Sequence, residues 1–363
     1  MSLHHDELCD LTPDPRQWGR YTPLTFERLS PLYRLWSSQM RHDEEVQALL
    51  ALVDTDQPRE VLFFSVVNFL LFQAKEHPLA DFYPSLCGPS CGLSSPRPAT
   101  EAYPVFREFC LNHADDLRHL LPDARLQTNE VTRCANLLPA FEIVSKRGER
   151  KPLALIEIGA SAGLNLHWDR YHYAYGCANI GNKLSPVQLR CSFTGTQRPL
   201  LPAFMPDVAS RVGIDLCPLD VTNERDVSWL SACIWPEETE RYRLLSAAIE
   251  VAQAHPPTLL KGDACDLLPE IIEALPLDVT VCLWHSYALA QGPISVYQQI
   301  VHLLMLHSLR RDLYRISLEM DPINWKQPRL ELFAYQQGSL ATYDWLANCE
   351  VHGETMEWIG GRA

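Results

Sequence analysis

The chain lacks the marks of several common functional classes. It has no surplus of basic residues, since 31 Lys and Arg stand against 45 Asp and Glu for a formal charge of -14. Such a balance argues against a surface built for phosphate backbones or anionic lipids, so neither nucleic acid nor membrane is expected as a partner. It has no apolar run of the ~20 residues that a bilayer crossing needs. The longest, VLFFSVVNFLLF from Val61 to Phe72, reads instead as a buried helix. It has no C-x-x-C pair, and Cys87-Gly-Pro-Ser-Cys91 has no second pair of ligands nearby, which argues against zinc. No secretory leader is visible in the opening MSLHH, which reads as a flexible terminus in which His4 and His5 carry no weight. The 12 cysteines are scattered, several within apolar runs, so reduced thiols and a cytoplasmic location are expected. A phosphate-cradling G-x-x-x-x-G-K is absent, and the dinucleotide pattern G-x-G-x-x-G fails because Ser161 and Leu164 occupy two of its glycine positions. ATP, NAD and FAD are therefore weaker expectations.

What is present divides the 363 residues into two characters. From Pro23 to Lys146 the periodicity is helical, with apolar residues three or four apart in FERLSPLYRLWSSQM, EEVQALLALV, VFREFCLNHADDLRHLL and TNEVTRCANLLPAFEIVSK. The stretch Cys87–Pro104, rich in Pro, Gly and Ser, reads as a loop. After Pro152, short β-rich runs (LALIEIG, RVGID, TLLKGD, VTVCLW, YRISLEM) alternate with helical ones, which argues for a parallel sheet with crossover helices. The tail, RLELFAYQQG and YDWLANCEVHGETMEWI, suggests a closing antiparallel pair. The expected organisation is a helical domain over 1–127 and an α/β domain over 128–363, with an insertion near 171–206 holding an extra strand at PVQLRCSF.

The centre of LALIEIGASAGLNL, Leu153 to Leu166, admits two readings. Gly159-Ala160-Ser161-Ala162-Gly163 satisfies the G-x-S-x-G elbow of a serine hydrolase, and Ser161, Asp321 and His352 follow its usual chain order. That elbow, however, normally comes after several strands, and the chain before Leu153 reads as helical. Alternatively, the segment is a cofactor loop entered from a strand that carries Glu157. An ionised carboxylate inside an apolar strand is costly unless something specific pairs with it, and a bound ammonium group would do so. A neighbouring arginine or backbone amides would serve as well. Gly159, Ser161 and Gly163 are small enough to let backbone amides approach a ligand, or to make a tight turn and nothing more.

The loop resembles the acidic, glycine-rich first loop of methyltransferases that use S-adenosylmethionine. In that resemblance RVGIDLCP is the second strand, with Asp215, or failing it Asp220, accepting from the ribose hydroxyls. LLKGDACDLLPE is the third, with Asp263 and its backbone neighbour Ala264 beside the adenine. QTNEVTRCANLLPAFEIV, LALIEIGASAGLNLHWDRYHY, PLDVTNERDVSWL, IWPEETERYRLLSAAIEVA, LLKGDACDLLPE and HSYALAQ together resemble the bacterial proteins grouped as domain-of-unknown-function family 2332, from Leu24 to the C-terminus. Asn165 and Leu166 continue the family's loop motif. The resemblance implies a Rossmann-like, methyltransferase-type domain and leaves the substrate open.

Three further groups invite a role. His285-Ser286 follows VTVCLW at the end of a central strand, where a histidine serves as general base or is satisfied in the core. Asn129, Glu130 and Arg133 in TNEVTR share one helical turn and either fold over the cofactor mouth or act as a cap and first-turn charge. His167, Asp169 and His172 are metal-ligand types, but a continuing helix would not bring both histidines to one face. The function expected is binding of S-adenosylmethionine or S-adenosylhomocysteine, with methyl transfer to a small molecule or protein side chain and no metal. A serine hydrolase using Ser161 and a noncatalytic nucleotide-binding or regulatory protein are the alternatives.

Overall fold

The computed structural model describes residues 30–360 except 56, 75, 84, 85, 87–100, 177 and 322–326. The Cys87 and Cys91 pair, most of the loop after it, and His4 and His5 lie outside the described residues. The chain is a mixed α/β protein that divides into two compact units.

One unit is helical: α1 (Pro31–Met40), α2 (Glu44–Leu50), α3 (Arg59–Gln73), α4 (Ala102–Asn112) and α5 (Ala114–Leu120). Ser30 caps α1 by accepting from the Tyr33 amide, with Pro31 in the first turn, and Asp43 caps α2 through the Val46 amide. The run Val61–Leu71 is buried on every side, which accounts for its unbroken apolarity. Its core is aromatic, with Trp36 stacked on Phe106 at 4.4 Å and Tyr33 on Phe64 at 4.4 Å. The helical unit is not confined to the N-terminal stretch, because Thr222–Leu245 belongs to it. Asn68 Nδ2 donates to the Ala232 carbonyl (3.2 Å), Trp229 meets Phe69 edge-on, and Glu237 accepts from Ser30 Oγ (2.8 Å) and the Leu32 amide (3.0 Å). Each of these contacts spans more than 150 residues of chain, beyond the reach of any local pattern.

The other unit holds α6 (Cys134–Arg147) and twelve strands: β1 (Leu153–Ile158), β2 (His172–Tyr175), β3 (Ala178–Gly181), β4 (Gln188–Arg190), β5 (Ser192–Thr194), β6 (Val208–Asp215), β7 (Thr258–Lys261), β8 (Thr280–Ser286), β9 (Leu313–Met320), β10 (Pro328–Gln336), β11 (Ser339–Cys349) and β12 (Thr355–Trp358). A nine-stranded sheet runs β5-β12-β11-β10-β9-β8-β1-β6-β7. From β7 to β9 every pair is parallel. Strands β1, β8 and β9 are buried almost end to end, as parallel strands covered on both faces must be. The chain leaves β1 toward β6 and β7, then returns to β8 and β9 on the other side, so the strand order reverses between β1 and β8.

The tail carries three antiparallel strands rather than a pair, and the inserted segment carries more than one. Strands β3, β2 and β4 form a separate small sheet, while β5 joins the large sheet beside β12. PVQLRCSF thus contributes to two different sheets.

Two layers cover the parallel strands. After α7 (Thr239–Ala254) come α8 (Ala264–Ala274) and α9 (Ile294–His307), which pack on one face with Ile156, Ile158, Ile214, Val281, Leu283 and Leu313. On the other, Phe141 of α6 stacks on Trp168 at 4.3 Å and meets Trp284 edge-on at 5.2 Å.

Candidate functional site

In open parallel sheets a crevice forms outside the carboxyl ends of the two strands between which the order reverses. Here those are β1 and β8, which end in Glu157-Ile158 and His285-Ser286.

The chain turns sharply after β1, with Gly159, Ser161 and Gly163 all at positive φ (73°, 52° and 70°). Ser161 is the costly one, because a side chain crowds the backbone there. The turn is tied down by its neighbours. The Gly159 and Ala160 amides donate to the Ile214 carbonyl, the Ser161 amide to Asp215 Oδ2 (2.8 Å), and the Leu164 amide to Asn129 Oδ1 (3.1 Å). A Cβ on Gly159 would lie 2.4 Å from Ala288 Cβ, and one on Gly163 2.8 Å from Pro257 Cγ. The space freed by these glycines is therefore filled by the protein's own segments, and four loop amides are already engaged. The turn does not offer the row of free N–H groups that a phosphate needs.

Glu157 is 2 % exposed. Burial pushes its carboxyl well above the usual range; the Trp284 indole pulls it back down, the nearby Asp215 pushes up less strongly, and Asn165 pulls down least. No described Lys, Arg or His forms an ion pair with it, which removes the arginine alternative. Glu157 Oε2 has no hydrogen-bond partner, nor do Ser161 Oγ, Trp284 Nε1 and Ser286 Oγ, all of them enclosed. Glu157 stands beside Trp284 in the register of β1 and β8, and Ser286 follows two residues on, so these three share a sheet face at the strand ends.

His285 does not join them. It pairs with Ile158, one residue out of step with Glu157, and so projects from the opposite face. There its Nδ1 lies 2.7 Å from Glu319 Oε1 and its Nε2 accepts from Arg315 Nη1 at 3.2 Å. Since arginine only donates, the ring proton belongs on Nδ1, directed at Glu319. Burial holds the imidazole below its ordinary pKa despite Glu319. With both nitrogens engaged, His285 is placed as a structural histidine and not as a general base. As the residue that ends a central strand, His285 was expected in the cleft with Glu157, and strand register separates the two.

Asp215 closes β6 and holds two turns, accepting from the Ser161 amide and, through Oδ1, the Cys217 amide (2.8 Å). Each oxygen keeps one further lone pair. Asp220 is exposed, beyond the strand. Asp263 is exposed and caps α8 through the Cys265 amide (2.8 Å), while Ala264 is buried against Ile158 and Ile214. The Gly262 amide donates to the Asp215 carbonyl, so the ends of β6 and β7 are tied together.

The TNEVTR segment spans the two strand ends. Asn129 holds the loop after β1, and the Arg133 guanidinium lies 4.0 Å over the ring of Tyr287, just after β8. Arg133 Nε also donates to the Val351 carbonyl (3.2 Å). Glu130 is buried, accepts from the Thr132 amide, and lies 3.8 Å from His352.

The serine, acid and histidine of the hydrolase alternative do not assemble. Ser161 Oγ has no partner, Asp321 is bound to Arg329 at 2.5 Å, and His352 faces Glu130. A nucleophilic serine needs its base within hydrogen-bond reach.

Residues 24–358 match the model of a family described as an uncharacterized protein conserved in bacteria, DUF2332. The chain belongs to that family. No curated protein and no solved structure matches it significantly. No helix among the described residues is long and apolar enough to cross a membrane.

Sequence reasoning missed Trp284, Asn165 as a neighbour of Glu157, Tyr287, Arg315 and Glu319. Tyr287 lay within HSYALAQ, but its signal is conformational: a non-glycine at φ 54° beside a sealed hydroxyl without a partner.

Proposed function

We propose that this chain binds S-adenosylmethionine at the carboxyl ends of β1 and β6 and transfers its methyl group to a small molecule or protein side chain. The observation that carries the reading is Glu157, a sealed carboxyl with an unpartnered oxygen and no ion pair with any described residue, at the point where the strand order reverses. A ligand ammonium supplies the missing partner, and Ser161 Oγ, Trp284 Nε1 and Ser286 Oγ are further unmet polar atoms close to the same strand ends. Asp215 has lone pairs left for a ribose diol, and Asp263 and Ala264 lie at the next strand end, where the resemblance puts the adenine. The parallel order β7-β6-β1-β8-β9, reversing between β1 and β8, is the arrangement that opens a ligand crevice at the strand ends of α/β sheets, and it supports the same cofactor class.

The bound cofactor supplies an electrophilic methyl on a sulfonium. The chain has to align an acceptor with it and exclude water. Because His285 is engaged on both nitrogens, it takes no proton from the acceptor. Tyr287 is equally unsuited, since burial raises its hydroxyl well above its ordinary pKa.

Calorimetry with S-adenosylmethionine tests the reading. The wild-type chain is expected to bind, and Glu157→Gln to weaken binding by roughly tenfold to a hundredfold, the worth of a hydrogen bond to a charged group. Asp215→Ala is expected to weaken it as well. Absence of heat and of any melting shift at millimolar S-adenosylmethionine or S-adenosylhomocysteine overturns the proposal.

A further inference from the structure

His167, Asp169 and His172 do not gather as metal ligands. His172 opens β2, Asp169 is bound to Arg211 at 2.5 Å, and no group of three His, Cys, Asp or Glu residues among those described is placed to hold a metal. A basic cluster forms around His167 instead.

Residues Leu164–Arg170 form two short 3₁₀ turns that meet at a kink at His167 (φ -100°, ψ 16°), and Arg170 lies close enough to act on the His167 ring. Arg211 of β6 reaches across these turns, donating through Nε to the Leu166 carbonyl (3.0 Å) and through Nη2 to Asp169 Oδ2. Its guanidinium therefore bridges residues on both sides of His167. Arg211 pairs in register with Leu155, two residues before the pairing of Gly213 with Glu157. The cluster thus lies on the same sheet face as Glu157 but further back along the strands.

Three features of the cluster are unsatisfied together. His167 is 1 % exposed and neither ring nitrogen has a partner. Arg170 makes no ion pair with any described residue, and its Nε is enclosed without a hydrogen bond. Arg211 and Arg170 both act on His167, and Asp169, bound to Arg211 with its Oδ1 enclosed and unpartnered, is the one carboxylate paired in the cluster, which leaves a net positive charge. Burial first, then Arg211, Arg170 and His255, hold the imidazole down at about 3, so His167 is neutral and has an N–H to donate. A trapped water would satisfy a nitrogen of His167 but would bring no negative charge to the half-buried Arg170.

We propose that Arg170 and His167 form a binding site for a small oxyanion, a phosphate or carboxylate group, with Arg211 held in place by Asp169 as the second positive charge. The anion supplies at one stroke the acceptor that Arg170 and the His167 N–H lack and the negative charge the cluster lacks. This site is independent of the methyltransferase reading, since it shares no residue with it and needs no cofactor.

The full chain is titrated with inorganic phosphate and, separately, with acetate, against potassium chloride at equal ionic strength. The readouts are the melting temperature and the imidazole resonances of His167, assigned with His167→Gln. Phosphate is expected to raise the melting temperature and move those resonances, and Arg170→Gln to weaken the binding about tenfold. A response to acetate alone supports the site and assigns it to carboxylates. If neither anion exceeds the chloride control, or if Arg170→Gln binds phosphate and acetate as tightly as the wild type, the proposal is wrong. Arg170 is only half-buried, so its variant remains informative even if His167→Gln fails to fold.

Discussion

Two polar clusters sit back to back on the same strands, and they are built in opposite ways. Behind β8 and β9, Arg315 donates to Tyr335 Oη (3.1 Å), Tyr297 Oη (3.0 Å) and His285 Nε2, and its guanidinium lies 3.9 Å over the Phe333 ring. Glu319 Oε1 gathers His285 Nδ1 together with the amides of Ala288 (3.0 Å) and Leu289 (3.1 Å). Only Glu319 Oε2 is left over in that network. Across the sheet, Glu157, Trp284, Ser161 and Ser286 are just as enclosed, yet each has an unmet polar atom. A satisfied buried network holds a fold in one arrangement, whereas an unsatisfied one costs stability and persists where a ligand completes it. The difference marks one face as a satisfied structural network and leaves the other as the face on which the proposed cofactor site rests.

The sharpest way to break this comparison is to cut the satisfied side. Arg315→Met orphans His285 Nε2 and two tyrosine hydroxyls, and is expected to lower unfolding stability by about 3–5 kcal/mol in urea denaturation at neutral pH. Should Arg315→Met leave the denaturation midpoint unchanged, the network is not what holds that face. Glu319→Ala comes next, at about 2–4 kcal/mol, because it frees two amides and the His285 N–H.

On the other face Glu157→Gln is expected to cost little, and its sign depends on pH. The folded carboxyl titrates above its ordinary value of 4.5, so its contribution to stability is complete below that value and is lost as pH rises through the raised folded value. Glutamine is indifferent to this change. The stability of the variant relative to wild type should therefore improve between pH 5 and pH 8. A gap that stays constant between these two pH values would show that Glu157 is compensated after all. The same logic predicts that S-adenosylmethionine binding releases up to about one proton, read as a calorimetric enthalpy that varies with the ionisation enthalpy of the buffer.

The smallest effect is expected at Ser161→Gly. It relieves a left-handed backbone at φ 52° and adds chain entropy to the unfolded state, terms of about 1 kcal/mol each that nearly cancel. A fluorophosphonate probe should leave Ser161 unmodified, and stoichiometric labelling there would restore the hydrolase alternative.

Much of this was legible in the chain itself. Periodicity separated the helical stretches from the β-rich ones, and each run from LALIEIG to YRISLEM contains a strand; the central ones, β1, β8 and β9, are apolar along their length because they are buried on both faces. Glu157 stood out for the same reason, as a charge where only apolar residues are cheap. Tertiary structure alone decided the rest. His285 looked like a cleft residue because it ends a central strand, but a one-residue offset in the pairing of β1 and β8 sends it to the opposite face, and register is a property of two strands together. Gly159 signalled a close approach without naming what approaches, and the answer, Ala288, lies 129 positions away. Thr222–Leu245 reads as part of the α/β region until Asn68, Phe69 and Ser30 bind it from far upstream. The sequence by itself determined the helical and β-rich regions, the parallel strands from LALIEIG to YRISLEM and where the anomalous carboxyl lies, since those follow from local pattern and burial. Which polar groups find partners, and which are left without one, was settled only when distant strands came into register.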